Sequence, residues 1–195
     1  MIARMLSDVV ATELPQGIRL ETVTRERRLS ELAFDVPARG VTAHALNGLL
    51  HSLGYPVDRL AFARLDGYLK GYIDLVFEHG GRYYIADWKS NHLGDSPSDY
   101  DHAALAAAMA RHGYHLQSLL YCVALARYLR RRVRGYRHDA HFGGAFYLFV
   151  RGVRPGWKCR DGQAAGVHFH RPDAATLARI DACLGSAGPQ SGAKA

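Results

Sequence analysis

Two periodicities divide the chain. Residues 68–77 (YLKGYIDLVF) and 82–89 (RYYIADWK) read as strands, and His79-Gly80-Gly81 between them is turn chemistry for a hairpin. Residues 18–37 alternate more loosely and predict two strands, the second with Leu32, Phe34 and Val36 on one face and Pro37 and Gly40 as punctuation. The run FGGAFYLFVRGV (142–153) reads as a fully buried strand. Helical spacing appears at Leu46, Leu49, Leu50 and Leu53, predicting a helix over 41–53. It recurs over 115–134, where Leu116, Leu119, Leu120, Val123, Leu125, Leu129 and Val133 make a broad apolar face. Further helices are expected over 1–16, over the alanine-rich 99–111 and over 173–184, the last with Asp173 as its N-cap. Strands amid helices give an α/β or α+β domain over 1–184. No internal repeat is visible, and the small, polar tail 185–195 is expected to be disordered.

Three charges break the strand pattern. Asp74 stands inside the first strand of the hairpin, and Asp87 and Lys89 stand two apart near the end of the second. Side chains alternate in a strand, so Asp87 and Lys89 share a face and Trp88 takes the other. The hairpin brings Asp74 beside Asp87, and two carboxylates on neighbouring strands can converge on one Mg²⁺ if they share a face. An ammonium close by can hold a water in line with phosphorus. The alternative is a buried Asp–Lys pair on an edge strand, although burying three charges without a function is costly. Gln117 and Tyr121 lie four apart on one helix face, which equally describes an amphipathic boundary.

Composition narrows the setting. At 195 residues, 48% hydrophobic and 22% charged, the chain is an ordinary globular domain that needs no disulfide or metal for stability. Its three cysteines are odd in number, widely spaced and without a CxxC pair, which argues against a disulfide framework or a thiolate zinc site and suits a reducing cytoplasm. No apolar run is long enough to span a bilayer, and the N-terminal stretch is too short and interrupted for a secretory signal. The formal net charge of +7 favours a polyanionic partner.

The order Asp74, then DWK at 87–89, then QSLLY at 117–121 is that of the PD-(D/E)XK nuclease superfamily. Over about 65–153, in GYLKGYIDLVFEHGGRYYIADWKSNHLG, AMARHGYHLQSLLYCVALARYLRRR and HFGGAFYLFVRGV, the chain resembles the C-terminal nuclease domains of the RecB family. That resemblance implies a restriction-endonuclease-like core, a central mixed sheet flanked by helices, and Mg²⁺-dependent hydrolysis of DNA phosphodiester bonds in double-strand break repair, leaving a 5′-phosphate. It implies Asp74, Asp87 and the Trp88 backbone carbonyl as metal ligands, Lys89 as the residue that positions or activates the water, and Gln117 and Tyr121 as support for the site and the DNA. Its implied partners are single- and double-stranded DNA ends, the RecC and RecD subunits and the recombinase RecA. The family's upstream metal-binding His, in a GTxxH-like setting, has no match here; His44 and His51 lie on a stretch where the pattern does not put it. No GxxxxGK[ST] motor loop is present either, so the chain reads as the tail end of a longer helicase-nuclease, and a docking module for RecA or the partner subunits is the alternative to a catalyst.

Four further features carry weaker expectations. Glu31 could approach the metal through its second sphere or simply face solvent on an edge strand. Arg130 and Arg131, in the run ARYLRRRVRGYR, could touch a DNA backbone, or form the solvated basic end of a helix. His168 and His170 share a strand face and are expected at its surface. Tyr68, Tyr72, Tyr83 and Tyr84 could stack bases, though aromatics in strands more often pack.

Overall fold

The computed structural model of the protein describes residues 2–185, so most of the tail expected to be disordered lies outside the described residues. A single five-stranded sheet runs through the molecule in the order β1 (Arg28–Val41), β2 (Leu65–His79), β3 (Arg82–Lys89), β4 (Phe142–Phe149), β5 (Val167–His170). All neighbours pair antiparallel except β3 and β4, which are parallel. A parallel pair needs a crossover. Here it is α3 (His102–Arg111), α4 (Tyr114–Arg132) and the single turn α5 (His138–His141). These helices, with α2 (Ala43–Ser52) and α6 (Ala174–Cys183), cover one face of the sheet. The other face is closed by α1 (Ile2–Ala11) and by Leu14, Ile18, Leu20 and Val23 from the segment that follows it. Central β4 is buried along its whole length, as its apolar run requires.

The hairpin forms as its turn residues dictate. Gly80 and Gly81 both take positive φ, +58° and +77°, which a two-residue turn matched to strand twist needs. Glu78 Oε1 accepts from the Gly81 N–H at 2.7 Å and closes the turn. The N-cap of α6 is Asp173, whose side chain accepts from the Thr176 N–H at 2.6 Å. The mixed sheet flanked by helices is the architecture that the resemblance implied.

Three expectations are corrected. Residues 18–37 do not form two strands: the 3₁₀ turns Leu20–Thr22 and Arg25–Arg27 occupy the first part, whose apolar side chains alternate only because they wall a core. Everything from Arg28 to Val41 is one strand: Pro37 is tolerated because β1 is an edge strand, where it stays in register opposite Tyr68, and Gly40 falls in the register shift between Ala38 and Val41. The N-terminal helix stops at Ala11, not 16, and gives way to a 3₁₀ turn at Pro15–Gly17. Finally, His168 and His170 are not strand surface. They sit under α4, where the Tyr55 hydroxyl meets His170 Nε2 at 2.8 Å and the Ser118 hydroxyl lies 3.3 Å from His170 Nδ1.

Candidate active site

The β1–β2 pairing is interrupted midway along its length, and the charges gather there. The β1–β2 register passes from Ser30↔Leu75 to Leu32↔Ile73 and skips Glu31 and Asp74. Glu31 has φ of +54°, a left-handed conformation that costs a non-glycine residue about 1–2 kcal/mol. Side-chain alternation slips on β2 as well, since Ile73 and Val76 both pack with the helical layer while Leu75 packs on the opposite face. On the other side, the β2–β3 ladder ends at Leu75↔Ala86. Beyond that pair the Trp88 N–H donates to Asp74 Oδ2 at 3.0 Å, so a carboxylate takes the place of a ladder carbonyl.

The Asp74 carboxylate reaches across the opening between β2 and β3 to the Trp88 N–H, while Asp87 lies toward α4, where Lys89 joins it to Gln117. Trp88 donates toward β2, and an extended residue's carbonyl points the same way as its N–H. The Lys89 carbonyl, by contrast, accepts from the Val150 N–H at 3.0 Å on the opposite flank. The Trp88 carbonyl therefore opens into the same gap as Asp74. Asp74 and Trp88 also line a cleft of about 280 Å³ with Val10, Leu20, Val23 and Arg28.

Asp87 is only 2% exposed. Burial raises its pKa, and the negative charge of Asp74 adds to the rise, while Lys89 opposes it by hydrogen bond and charge. Lys89 Nζ lies 2.5 Å from Asp87 Oδ2. No other donor among the described residues reaches that buried oxygen, which leaves one of its lone pairs unused beside the lysine. The same ammonium donates to Gln117 Oε1 at 2.8 Å and sits 4.0 Å above the Tyr114 ring centroid. Gln117 Oε1 also accepts from the Tyr147 hydroxyl at 3.3 Å, and its Nε2 donates to the Tyr121 hydroxyl at 3.0 Å. The amide thus has one possible orientation, with its oxygen toward the lysine. The edge of Tyr121 packs against Phe34, ring centroids 5.5 Å apart, and ties the group back to β1.

The sequence-predicted residues Asp74, Asp87, Trp88, Lys89, Gln117 and Tyr121 therefore come together, and the register sets Glu31 opposite Asp74 on the next strand. The arginine run does not join them: Arg130 lies more than three turns further along α4, about 20 Å of helix, with its guanidinium 3.8 Å from Asp181. Of the four tyrosines, Tyr84 is buried and stacked on Phe77, while Tyr68 and Tyr72 are exposed on β2. Tyr147 and Tyr114 are contributors that sequence reasoning missed. A tyrosine inside the otherwise apolar FYLF run was the available signal, because a buried hydroxyl demands a partner.

The Asp87 and Asp74 carboxylates and the Trp88 main-chain carbonyl are hard oxygen donors at neighbouring positions of β2 and β3, and their chemistry fits a divalent cation such as Mg²⁺. Residues 4–184 match the model of the PD-(D/E)XK nuclease superfamily. The chain is 41% identical over 171 residues to the RecBCD enzyme subunit RecB of Escherichia coli (strain K12), covering 85% of this chain and 14% of that protein. It is 39% identical over 168 residues to the same subunit of Haemophilus influenzae, covering 85% and 13%. For Mycobacterium tuberculosis RecB the identity is 38% over 191 residues, covering 86% and 18%. The chain thus spans less than a fifth of the length of these relatives. With its mixed sheet, its acidic hairpin and a family match over nearly its whole length, this chain belongs to the PD-(D/E)XK nuclease superfamily.

Proposed function

We propose that the chain is a RecB-type nuclease domain that hydrolyses DNA phosphodiester bonds with Mg²⁺ held by Asp74, Asp87 and the Trp88 carbonyl. When bound, the cation would polarise the scissile phosphate and offset the charge that develops on its oxygens. Lys89 then donates to the attacking water and keeps it in line with phosphorus. Gln117 holds the Lys89 ammonium, and Tyr147 and Tyr121 lock the Gln117 amide. Glu31, opposite Asp74, adds a carboxylate at the outer rim of the gap. The supporting observation is that Lys89 is held between Asp87 and Gln117 while a buried Asp87 oxygen keeps open acceptor capacity.

The relatives' name makes each of them a subunit of the RecBCD enzyme. By resemblance, this domain works beside RecC and RecD on single- and double-stranded DNA ends, in recombinational repair, and contacts RecA. Free Cys122, Cys159 and Cys183 suit the cytoplasm, and among the described residues no helix is long and apolar enough to cross a membrane.

The test is cleavage of linear single-stranded DNA with and without Mg²⁺. Asp87→Ala and Lys89→Ala should each lower the rate by a factor on the order of 100 or more, with circular dichroism unchanged. Cleavage that survives both substitutions would overturn the assignment.

A further inference from the structure

Away from the acidic gap, three different donor types converge on the opening turn of α3. His102 is the first residue of that helix. Cys159 and Asp161 come from the loop between β4 and β5. The nearest ligand atoms, one from each residue, all lie within 4.8 Å of one another. His102 Nε2 and Asp161 Oδ2 are 2.9 Å apart and share a proton.

Both segments are held in place independently of any ligand. Cys159 and Asp161 lie on a tight turn: the Gly162 N–H donates to the Cys159 carbonyl at 3.0 Å, and the Cys159 N–H donates to the Gln163 carbonyl at 2.8 Å. Asp161 Oδ1 accepts from the Gln163 N–H at 3.0 Å, which turns Oδ2 toward the histidine. On the helix side, Asp101 caps α3 by accepting from the Ala104 N–H at 2.9 Å. Fully buried Tyr100 fastens the two segments, since its carbonyl accepts from the Gly166 N–H at 2.9 Å and its ring packs beside Trp157. Asp101 and Asp161 both place negative charge next to the sulfur.

We propose that His102, Cys159 and Asp161 form a zinc site that clips the start of α3 to the 157–163 loop. Imidazole, thiolate and carboxylate together suit Zn²⁺, whereas Mg²⁺ selects oxygen donors alone. Donors of a tetrahedral zinc lie roughly 3.3–3.8 Å apart for bonds of about 2.0–2.3 Å. The His102–Asp161 pair, now 2.9 Å apart, opens by roughly half an ångström to reach that spacing, and any wider separation, all being within 4.8 Å, closes by rotation of half-exposed His102. The metal replaces the proton between His102 and Asp161 and displaces the thiol proton of Cys159, which leaves to solvent. A fourth position remains for water. The site is independent of the nuclease reading. Its structural effect is to anchor the far end of the 90–101 connection, whose near end leaves the sheet at Lys89.

The test uses metal-free protein titrated with Co²⁺ and then Zn²⁺. One equivalent of Co²⁺ should produce a thiolate-to-cobalt charge-transfer band in the near ultraviolet, which Zn²⁺ abolishes. Cys159→Ser should remove that band, while Cys183→Ser and Asp87→Ala should keep it. His102→Ala and Asp161→Asn should each weaken Zn²⁺ binding by about 10–100-fold. Metal-free Cys159→Ser should melt like the parent, yet gain none of the parent's zinc-induced rise in melting temperature. No thiolate band, a band that survives Cys159→Ser, or equal zinc affinity in parent and His102→Ala would each overturn the proposal.

Discussion

Two polar groups lie on the same face of the same sheet, and they are built on opposite terms. In the register, Asp87 is opposite Tyr147, and Tyr147 is opposite His168. One side of that row is the acidic gap, with Asp74, Asp87 and Lys89 around the opening between two strands. The other side is imidazole: His115 of α4 packs over the strand pair His168 and His170, with His115 and His168 rings 5.8 Å apart. Burial, reinforced by the neighbouring histidines, pushes His168 and His170 down to about 4, so both stay neutral at physiological pH. The imidazole group stabilises the fold by remaining uncharged. The acidic group puts ionisable side chains in a place that packing alone would fill with apolar ones, as the proposed catalytic role requires.

The sharpest way to break this comparison is to make the acidic side apolar. The double substitution Asp87→Leu/Lys89→Met should raise the unfolding free energy at neutral pH by about 1–4 kcal/mol, measured by urea denaturation, while abolishing cleavage. A loss of stability would place the acidic group in the same structural role as the histidines. On the imidazole side, the folded pKa values lie below the unfolded one. Stability is therefore complete above about pH 6.5 and is lost as pH falls toward 4, by up to about 3 kcal/mol per histidine. His168→Phe should flatten the decline of melting temperature over that window; an unchanged slope would show that His168 protonates freely in the folded state.

Gln117 bridges the two sides through Tyr147, and its loss should be milder. Gln117→Ala should slow cleavage by about tenfold, and the optimum should shift little, because Lys89 keeps its partner Asp87. A rate equal to the parent's would make the amide a packing residue. The smallest effect belongs to Glu31. Glu31→Asn, which tolerates the left-handed conformation better, should change stability by no more than a few tenths of a kcal/mol, while any fall in cleavage rate would report the lost carboxylate alone.

How much of this was legible in the sequence depended on range. The β2–β3 hairpin was readable because its turn and both strands are contiguous, and alternation correctly set Asp87 and Lys89 together. The position of Asp74 was readable, but its approach was not. The alternation argument assumed a continuous ladder, whereas the slip at Glu31 and Asp74 turns the carboxylate into the gap. The partners of Tyr147, His168 and His170 were not readable for another reason. They depend on which strand lies beside which, and a parallel partner reached through a three-helix crossover leaves no trace in local periodicity. The early apolar positions Ile18, Leu20 and Val23 misled in the opposite way, since alternating apolar residues wall a core equally well from 3₁₀ turns.

The parallel pairing of β3 with β4 also bears on the order of assembly. The carboxylates and Lys89 arise within one local hairpin, which can form as soon as that stretch of chain exists. The seat of the ammonium is distributed across Gln117 on the crossover and Tyr147 on the strand beyond it, and such non-local contacts come late in folding. A chain interrupted before β4 carries every acidic group of the gap and still lacks the tyrosine that orients Gln117. The lysine is thus seated only in a molecule whose sheet has closed, and this couples the geometry of the gap to completion of the fold.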